Sequence, residues 1–328
     1  MSRPYVELFH LSVTYDVTKG IFSPKQLVRA VNDVSFTIDS GETYGLVGES
    51  GCGKSSLGRA IVGINKPSAG KILIEDEEVT NLHGRARRQF RQNVQMIFQD
   101  PYASLNPRMT IGEILREPME IHNLYRNNAE RDEQVVELLR VVGLKPDHIR
   151  RYPHEFSGGQ RQRISIARTL AVNPRFIICD EPISALDVSI QAQIINLLEN
   201  IQKERNIAYL FIAHDIGMVK HISDRIGVMY LGHLVETGSS DDVYFHPLHP
   251  YTKALLSAIP ISDPDIGKTR KRVIMQGEIP SPMNPPAGCP FCTRCPYADD
   301  GCRARKPEMQ QYGNHMAACF HLDRANAL

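Results

Sequence analysis

Residues Gly48, Glu49, Ser50, Gly51, Cys52, Gly53, Lys54 and Ser55 follow the spacing G-x-x-x-x-G-K-[ST], and Ser56 adds a second hydroxyl. Glycines at these positions let successive backbone N–H groups turn inward, so they can hold the β- and γ-phosphates of a nucleotide. Lys54 adds a cation, the Ser55 hydroxyl is a hard ligand for Mg²⁺, and a helix starting here points its positive end at the anion. A second centre follows the apolar run from Phe176 to Cys179, which delivers Asp180 to the carboxyl end of a buried strand with Glu181 immediately after it. Ligands bind at that end of open α/β sheets. Asp180 would orient Mg²⁺ and Glu181 would polarise an attacking water as general base.

A third cluster has different chemistry. Cys289, Cys292, Cys295, Cys302 and Cys319 lie within 31 residues of one another. Their C-x-x-C steps suit an iron–sulfur cluster or zinc, with His315 or His321 as further zinc ligands.

These groups need a scaffold. "VELFHLSVTY" (6–15) and "DVSFTI" (33–38) alternate as half-buried strands do, and the Gly- and Pro-containing stretch 16–30 between them reads as a loop. "TYGLVG" (43–48), "KILIEDE" (71–77), "VQMIFQD" (94–100), "FIICDE" (176–181) and "IAYLFIAHD" (207–215) read as further strands. A helix is predicted after Lys54, another from 160 that stops before Pro174, and another over 189–204. In "RDEQVVELLRVVGL", Val135, Leu138, Leu139 and Val142 form one apolar stripe that Gly143 ends. Strand and helix alternate, which predicts an α/β fold with a mostly parallel sheet covered on both faces. Prolines crowd the chain after residue 260, so a boundary is placed there, with a nucleotide-binding core before it and a Pro- and Cys-rich tail over 260–328.

Composition narrows the function. The 328 residues carry a formal charge of +1, so no polyanion-binding surface is expected, and the basic stretch "RARRQFRQ" (85–92) reads as a solvated helix face. No leader segment and no apolar run of about 18 residues is evident, so a cytosolic chain is expected. In that reducing compartment clustered thiols hold metal more readily than disulfides.

"FSGGQRQR" (156–163), about twenty residues before Asp180, resembles the signature of the ABC ATPases. That resemblance extends to Gln99 in "FQDP" as the glutamine that senses the γ-phosphate through Mg²⁺, to Asp187 in "SALD", to His214 as the switch histidine, and to Tyr15 as the ring stacked on adenine. It implies an ABC-type P-loop ATPase with an N-terminal antiparallel β subdomain and a helical signature subdomain. The nucleotide-binding domain would run over 5–259, with its helical insert at about 101–165. Ser157, Gly158, Gly159 and Gln160 would open a second anion cradle that meets the ATP held by another subunit. Lys54, Gln99, Glu181 and His214 would carry the chemistry.

"MIFQDPYASLNPRMTIGEILREP", "DEPISALDVSIQAQIINLL" and "HPLHPYTKALLSAIP" are similar to the oligopeptide and dipeptide importer ATPases, the second of their two paralogous subunits in particular. The implied partners are a paralogous ATPase, two permeases and an extracytoplasmic substrate-binding protein, with the chain peripheral on the cytoplasmic face of the membrane. Relatives in that family also carry nickel, glutathione or peptide-like antibiotics. The family's tail implies that Cys289, Cys295, Cys302 and Cys319 hold a four-iron, four-sulfur cluster, with Cys292 extra. Cys52 is expected to make activity sensitive to thiol alkylation, with ATP protecting.

Overall fold

The computed structural model describes residues 3–18, 26–259, 275 and 277–323. They fall into two compact units, one built chiefly from Asn81–Phe211 with Asp39–Glu42, the other from Pro4–Ile38, Thr43–Thr80 and the residues from Ile212 onward.

In the second of these, β1 (Val6–Asp16) and β2 (Leu27–Ile38) begin a four-stranded antiparallel sheet, which ends in β4 (Ala69–Ile74) and β5 (Glu77–Glu78) in the order β2-β1-β4-β5. Val6, Leu8, Leu11 and Val13 turn inward. The alternation slips between Leu8 and Leu11, where the register to β2 shifts. His10 and Asp33 absorb that bulge with φ of 48° and 59°, and His10 Nδ1 lies 2.6 Å from Asp33 Oδ1. The loop expected over 16–30 is shorter than that: Leu27, Val28 and Arg29 already pair with Asp16, Tyr15 and Thr14. Residues 19–25 of that stretch lie outside the described residues.

Between these strands, β3 (Thr43–Val47) leads through the glycine-rich loop into α1 (Lys54–Ile61). All five residues of β3 are buried, as a central strand requires.

The other unit holds α2 (Gly84–Asn93), β6 (Val94–Ile97), α3 (Pro101–Ser104), α4 (Ile111–Ile121), α5 (Asn128–Val141), α6 (Gly158–Leu170), β7 (Phe176–Asp180) and α7 (Val188–Arg205). Helix α2 buries only Phe90, as a solvated basic helix should. A capping box at Thr110 and Glu113 starts α4. Val135, Leu138, Leu139 and Val142 are buried, and Gly143 at φ 71° closes α5. Strands β6 and β7 pair in parallel, Ile97 opposite Cys179, with β8 (Ala208–Ala213) next to β7.

After β8 the chain returns to the unit of β3 through α8 (Ile216–Ile222), β9 (Arg225–Tyr230), β10 (His233–Ser239), α9 (Ser240–Phe245) and α10 (Pro250–Ser257). β9 runs parallel to β3 and antiparallel to β10. Among its described residues, the tail holds more regular structure than its proline content predicts. Besides a short helix at Asp300–Ala304 it forms the hairpin β11 (Gln310–Tyr312) and β12 (His315–Ala317), and β12 pairs with β10, Glu236 opposite Ala317. The two-residue turn Gly313-Asn314, with Gly313 at φ 64°, is a hairpin signal that proline content obscured.

Candidate active site

The phosphate loop sits where strand β3 feeds α1. Gly53 has φ 106° and a Cβ there would fall 2.0 Å from the Ala30 carbonyl oxygen, so no side chain fits. At Gly51 a Cβ would meet nothing within 4 Å, which leaves room above the loop. Lys54, only 4% exposed, donates from Nζ to the carbonyl oxygens of Gly48 at 2.7 Å and Glu49 at 3.1 Å. A buried ammonium held by neutral carbonyl dipoles is positioned to exchange them for phosphate oxygens. Ser55 and Ser56 stand in the first turn of α1, both partly exposed.

Cys52, expected to make activity sensitive to alkylation, is an enclosed thiol. It is 5% exposed, and burial raises its thiol above the ordinary range despite Lys54 nearby, with Nζ 3.7 Å from Sγ. In the same unit the Tyr15 hydroxyl accepts from Asn65 Nδ2 at 2.7 Å, and the ring is partly exposed. His214 is the first residue past β8 and is exposed.

The carboxylate centre belongs to the other unit. Asp180, at the end of β7, is 2% exposed. Glu181 follows in the left-handed region at φ 46°, a conformation that non-glycine residues adopt reluctantly and that turns its carboxylate away from the strand's own line. Gln99 Nε2 donates to Glu181 Oε2 at 2.8 Å, so residues 82 positions apart meet at the carboxyl ends of β6 and β7. The oxygen donors of Ser55, Gln99 and Asp180 are the hard ligand types that suit Mg²⁺.

Ser157 caps α6 in a reciprocal box with Gln160: the Ser157 N–H donates to Oε1 at 3.1 Å and the Gln160 N–H donates to the hydroxyl at 3.4 Å. Ser157 and Gly158 are exposed and Gly159 is buried, so the exposed helix start faces outward as an anion cradle would. Asp187 opens α7 as its N-cap residue.

In the tail, Cys289, Cys292 and Cys302 are buried, while Cys295 and Cys319 are partly so. Burial pushes the Cys289 thiol up to about 12 and the Cys295 thiol up to about 11, and neighbouring thiols of the group add in the same direction. Burial of this kind disfavours the thiolate that a metal or cluster takes as ligand, so ligation would have to offset it. The Cys289 N–H donates to the Cys302 carbonyl at 2.8 Å, which ties the two ends of the cysteine segment. Among the described residues, one group has ligand atoms close enough for a single ion: Asp299, Cys302 and His321. His321 Nε2 lies 2.8 Å from Asp299 Oδ2, and its N–H donates to Cys319 Sγ at 3.4 Å. Of the two histidines considered as extra ligands, His321 lies there, whereas His315 Nε2 is 2.7 Å from the buried Glu236.

Sequence reasoning missed Tyr251, whose hydroxyl accepts from the Glu49 N–H at 2.9 Å, and Arg294, which meets the Glu49 side chain. An arginine set between Cys292 and Cys295 was the only available signal.

Residues 31–184 match the family model described as ABC transporter, and residues 235–302 match the model for the oligopeptide/dipeptide transporter C-terminal region. The chain is 55% identical over 98% of its length to a putative oligopeptide transport ATP-binding protein of Bacillus subtilis (strain 168), covering 96% of that protein. It is 50% identical over 97% of its length to the oligopeptide transport ATP-binding protein OppF of Salmonella typhimurium, again covering 96%. Among solved structures, a dimeric ATP-binding cassette in a post-hydrolysis state bound to ADP and Pi superposes with a TM-score of 0.64 at 27% identity, covering 72% of this chain and 98% of that one. With a phosphate loop, a strand-end carboxylate pair and a capped signature helix in place, the chain belongs to the ABC transporter family, among its oligopeptide and dipeptide transport ATP-binding proteins.

Proposed function

We propose that the chain is the ATP-hydrolysing subunit of an importer of dipeptides or oligopeptides. The observation that carries the reading is the Gln99–Glu181 hydrogen bond of 2.8 Å beside the buried Asp180. It sets a neutral amide against Glu181, which this reading takes as the base, next to Asp180, which it takes as the carboxylate that would face Mg²⁺.

In this reading ATP is substrate, with its phosphates on the loop 48–55 and its adenine against Tyr15. Ser55, Gln99 and Asp180 would hold Mg²⁺, which when bound would neutralise charge on the phosphates. Lys54 turns from the loop carbonyls to the phosphate oxygens, which strengthens a charge-assisted bond already desolvated. Glu181 takes a proton from the attacking water, and His214 orients the transferring phosphate. Gln99 reports nucleotide occupancy to the permease, because its Nε2 donates to Glu181 while its Oε1 is the atom that would face the metal, so one amide links the two.

Ser157 and the N–H groups of α6 meet the nucleotide of a second ATPase, a paralogue by family resemblance, and Asp187 lies along that contact. Among the described residues no helix is long and apolar enough to cross a membrane. The reading therefore places the chain peripherally on two permeases, at the cytoplasmic face, supplied by an extracytoplasmic binding protein. The peptide itself is read by those partners.

Cys289, Cys295, Cys302 and Cys319 are assigned to a four-iron, four-sulfur cluster that staples the tail, a role that draws on ligation and needs no electron transfer. Absorbance near 400 nm after anaerobic purification supports it. A colourless protein holding zinc, for which Asp299, Cys302 and His321 are the available ligands, overturns it.

Glu181→Gln tests the central role. That variant should bind ATP and trap the nucleotide-bound dimer while turnover falls by at least about 100-fold, the scale of a lost general base. Hydrolysis within a fewfold of the parent removes Glu181 from the role.

A further inference from the structure

Glu49 places a carboxylate on the loop whose ligand is a polyanion. Left alone, that charge opposes binding. It is not alone: Arg294 Nη1 lies 2.6 Å from Oε2 and Nη2 lies 3.1 Å from Oε1, a two-pronged pair between residues 245 positions apart. The arginine side chain is 8% exposed and the glutamate 21%, so solvent screens the pair little.

The guanidinium is held from behind as well. It approaches the Tyr230 ring at 5.9 Å and donates from Nη1 to the Tyr230 hydroxyl at 3.5 Å. Phe291, 1% exposed, wedges against Tyr230 and Tyr251 at ring distances of 5.2 and 5.4 Å. Tyr251 in turn takes the Glu49 N–H. The tail segment 289–295 thereby grips Glu49 by its side chain directly and by its backbone through Tyr251, while Lys54 holds the same residue's carbonyl.

We propose that Arg294 is a positioning residue for ATP. It cancels the Glu49 charge and fixes the first turn of the phosphate loop, which makes the cysteine-bearing tail part of the nucleotide site. The inference rests on the reading of residues 48–55 as that site.

ATP affinity of the purified full-length chain, measured by direct titration, tests it. Arg294→Gln exposes the Glu49 charge and should raise the ATP Kd about tenfold, the scale of a lost hydrogen-bonded charge partner. Arg294→Lys keeps the charge without the fork and should fall between. The double variant Glu49→Gln, Arg294→Gln removes both charges and should recover most of the loss, a rescue that simple misfolding would not give. Parental affinity in Arg294→Gln, or a double variant no better than Arg294→Gln, overturns the proposal. Lys54→Ala separates the two readings. Unchanged affinity in Lys54→Ala sinks the phosphate-loop assignment, whereas weak binding there beside unaffected Arg294→Gln sinks only the role of Arg294.

Discussion

At Cys52 two effects compete for one thiol. Lys54 Nζ, 3.7 Å from Sγ, favours the thiolate, and burial at 5% exposure disfavours it. Burial is the larger, so the thiol titrates above its ordinary value and the reactive thiolate is scarce at neutral pH. Iodoacetamide labelling of the nucleotide-free chain at pH 7.5, followed by mass spectrometry, should find Cys52 modified more slowly than a free cysteine, at a rate that rises with pH. Labelling at the free-thiol rate would mean that the loop opens often enough to expose it. The same residue shows what a sequence can and cannot convey. Its place inside the phosphate motif is legible because the motif has fixed spacing, and so are Lys54, Asp180 and Glu181, each set by its immediate neighbours. Its burial is not legible, since Cys52 Sγ sits only 2.8 Å from where a Gly48 Cβ would lie, under a loop closed from elsewhere in the chain. Arg294 is hidden for the same reason: no local pattern links it to a glutamate 245 positions away.

Elements were legible where one local rule dominates. Buried strands such as β3 and β7 announce themselves as apolar runs, and α5 by its stripe ending at Gly143. The start of β2 was obscured because its first residues, Leu27 to Ala30, alternate between exposed and partly exposed and owe their strand form to pairing with β1. Helix α6 illustrates two constraints on one short peptide. A Cβ on Gly159 would fall 2.6 Å from Ile190 Cγ2 of α7, whereas one on Gly158 would stand 3.5 Å from Leu186. The second glycine of the signature is therefore required by helix packing, and the first is left for the exposed helix start where an anion would approach. Reading both glycines as anion ligands, as their motif suggests, merges a structural role with a chemical one.

Across the molecule, the tail meets the core of its unit not only through Arg294 but also at a buried carboxylate. Glu236, 0% exposed, accepts from the N–H groups of Leu248 at 2.6 Å and His249 at 2.9 Å, and its Oε1 lies 2.7 Å from His315 Nε2 on β12. The string "HPLHPY" that precedes α10 carries a family resemblance, yet its physical purpose appears only in this convergence. His249 must stay neutral to serve it, because its Nδ1 accepts the Tyr251 N–H at 3.1 Å. Burial lowers its pKa to about 4, against the pull of Glu236, and burial lowers His233 to about 4 as well. The unfolded chain takes up these protons near pH 6.5, and the folded chain refuses them until about pH 4. Both groups therefore stabilise the fold fully above pH 6.5 and lose that contribution as pH falls from 6.5 toward 4, at up to about 1.4 kcal/mol per pH unit for each. The carboxylates with resolved shifts, the exposed Glu113 and the partly exposed Asp299, are lowered, so they act below this window. Urea midpoints measured at pH 7, 6 and 5 should fall steadily. In His249→Asn, whose amide oxygen can still accept the Tyr251 N–H, that pH dependence should become shallower, the part owed to His233 and to the likewise lowered His122 remaining, whatever the variant's stability at pH 7. Midpoints that stay level between pH 7 and pH 5 would show that His249 and His233 protonate without leaving their sites, and the tail joint would then not be the acid-sensitive part of the molecule.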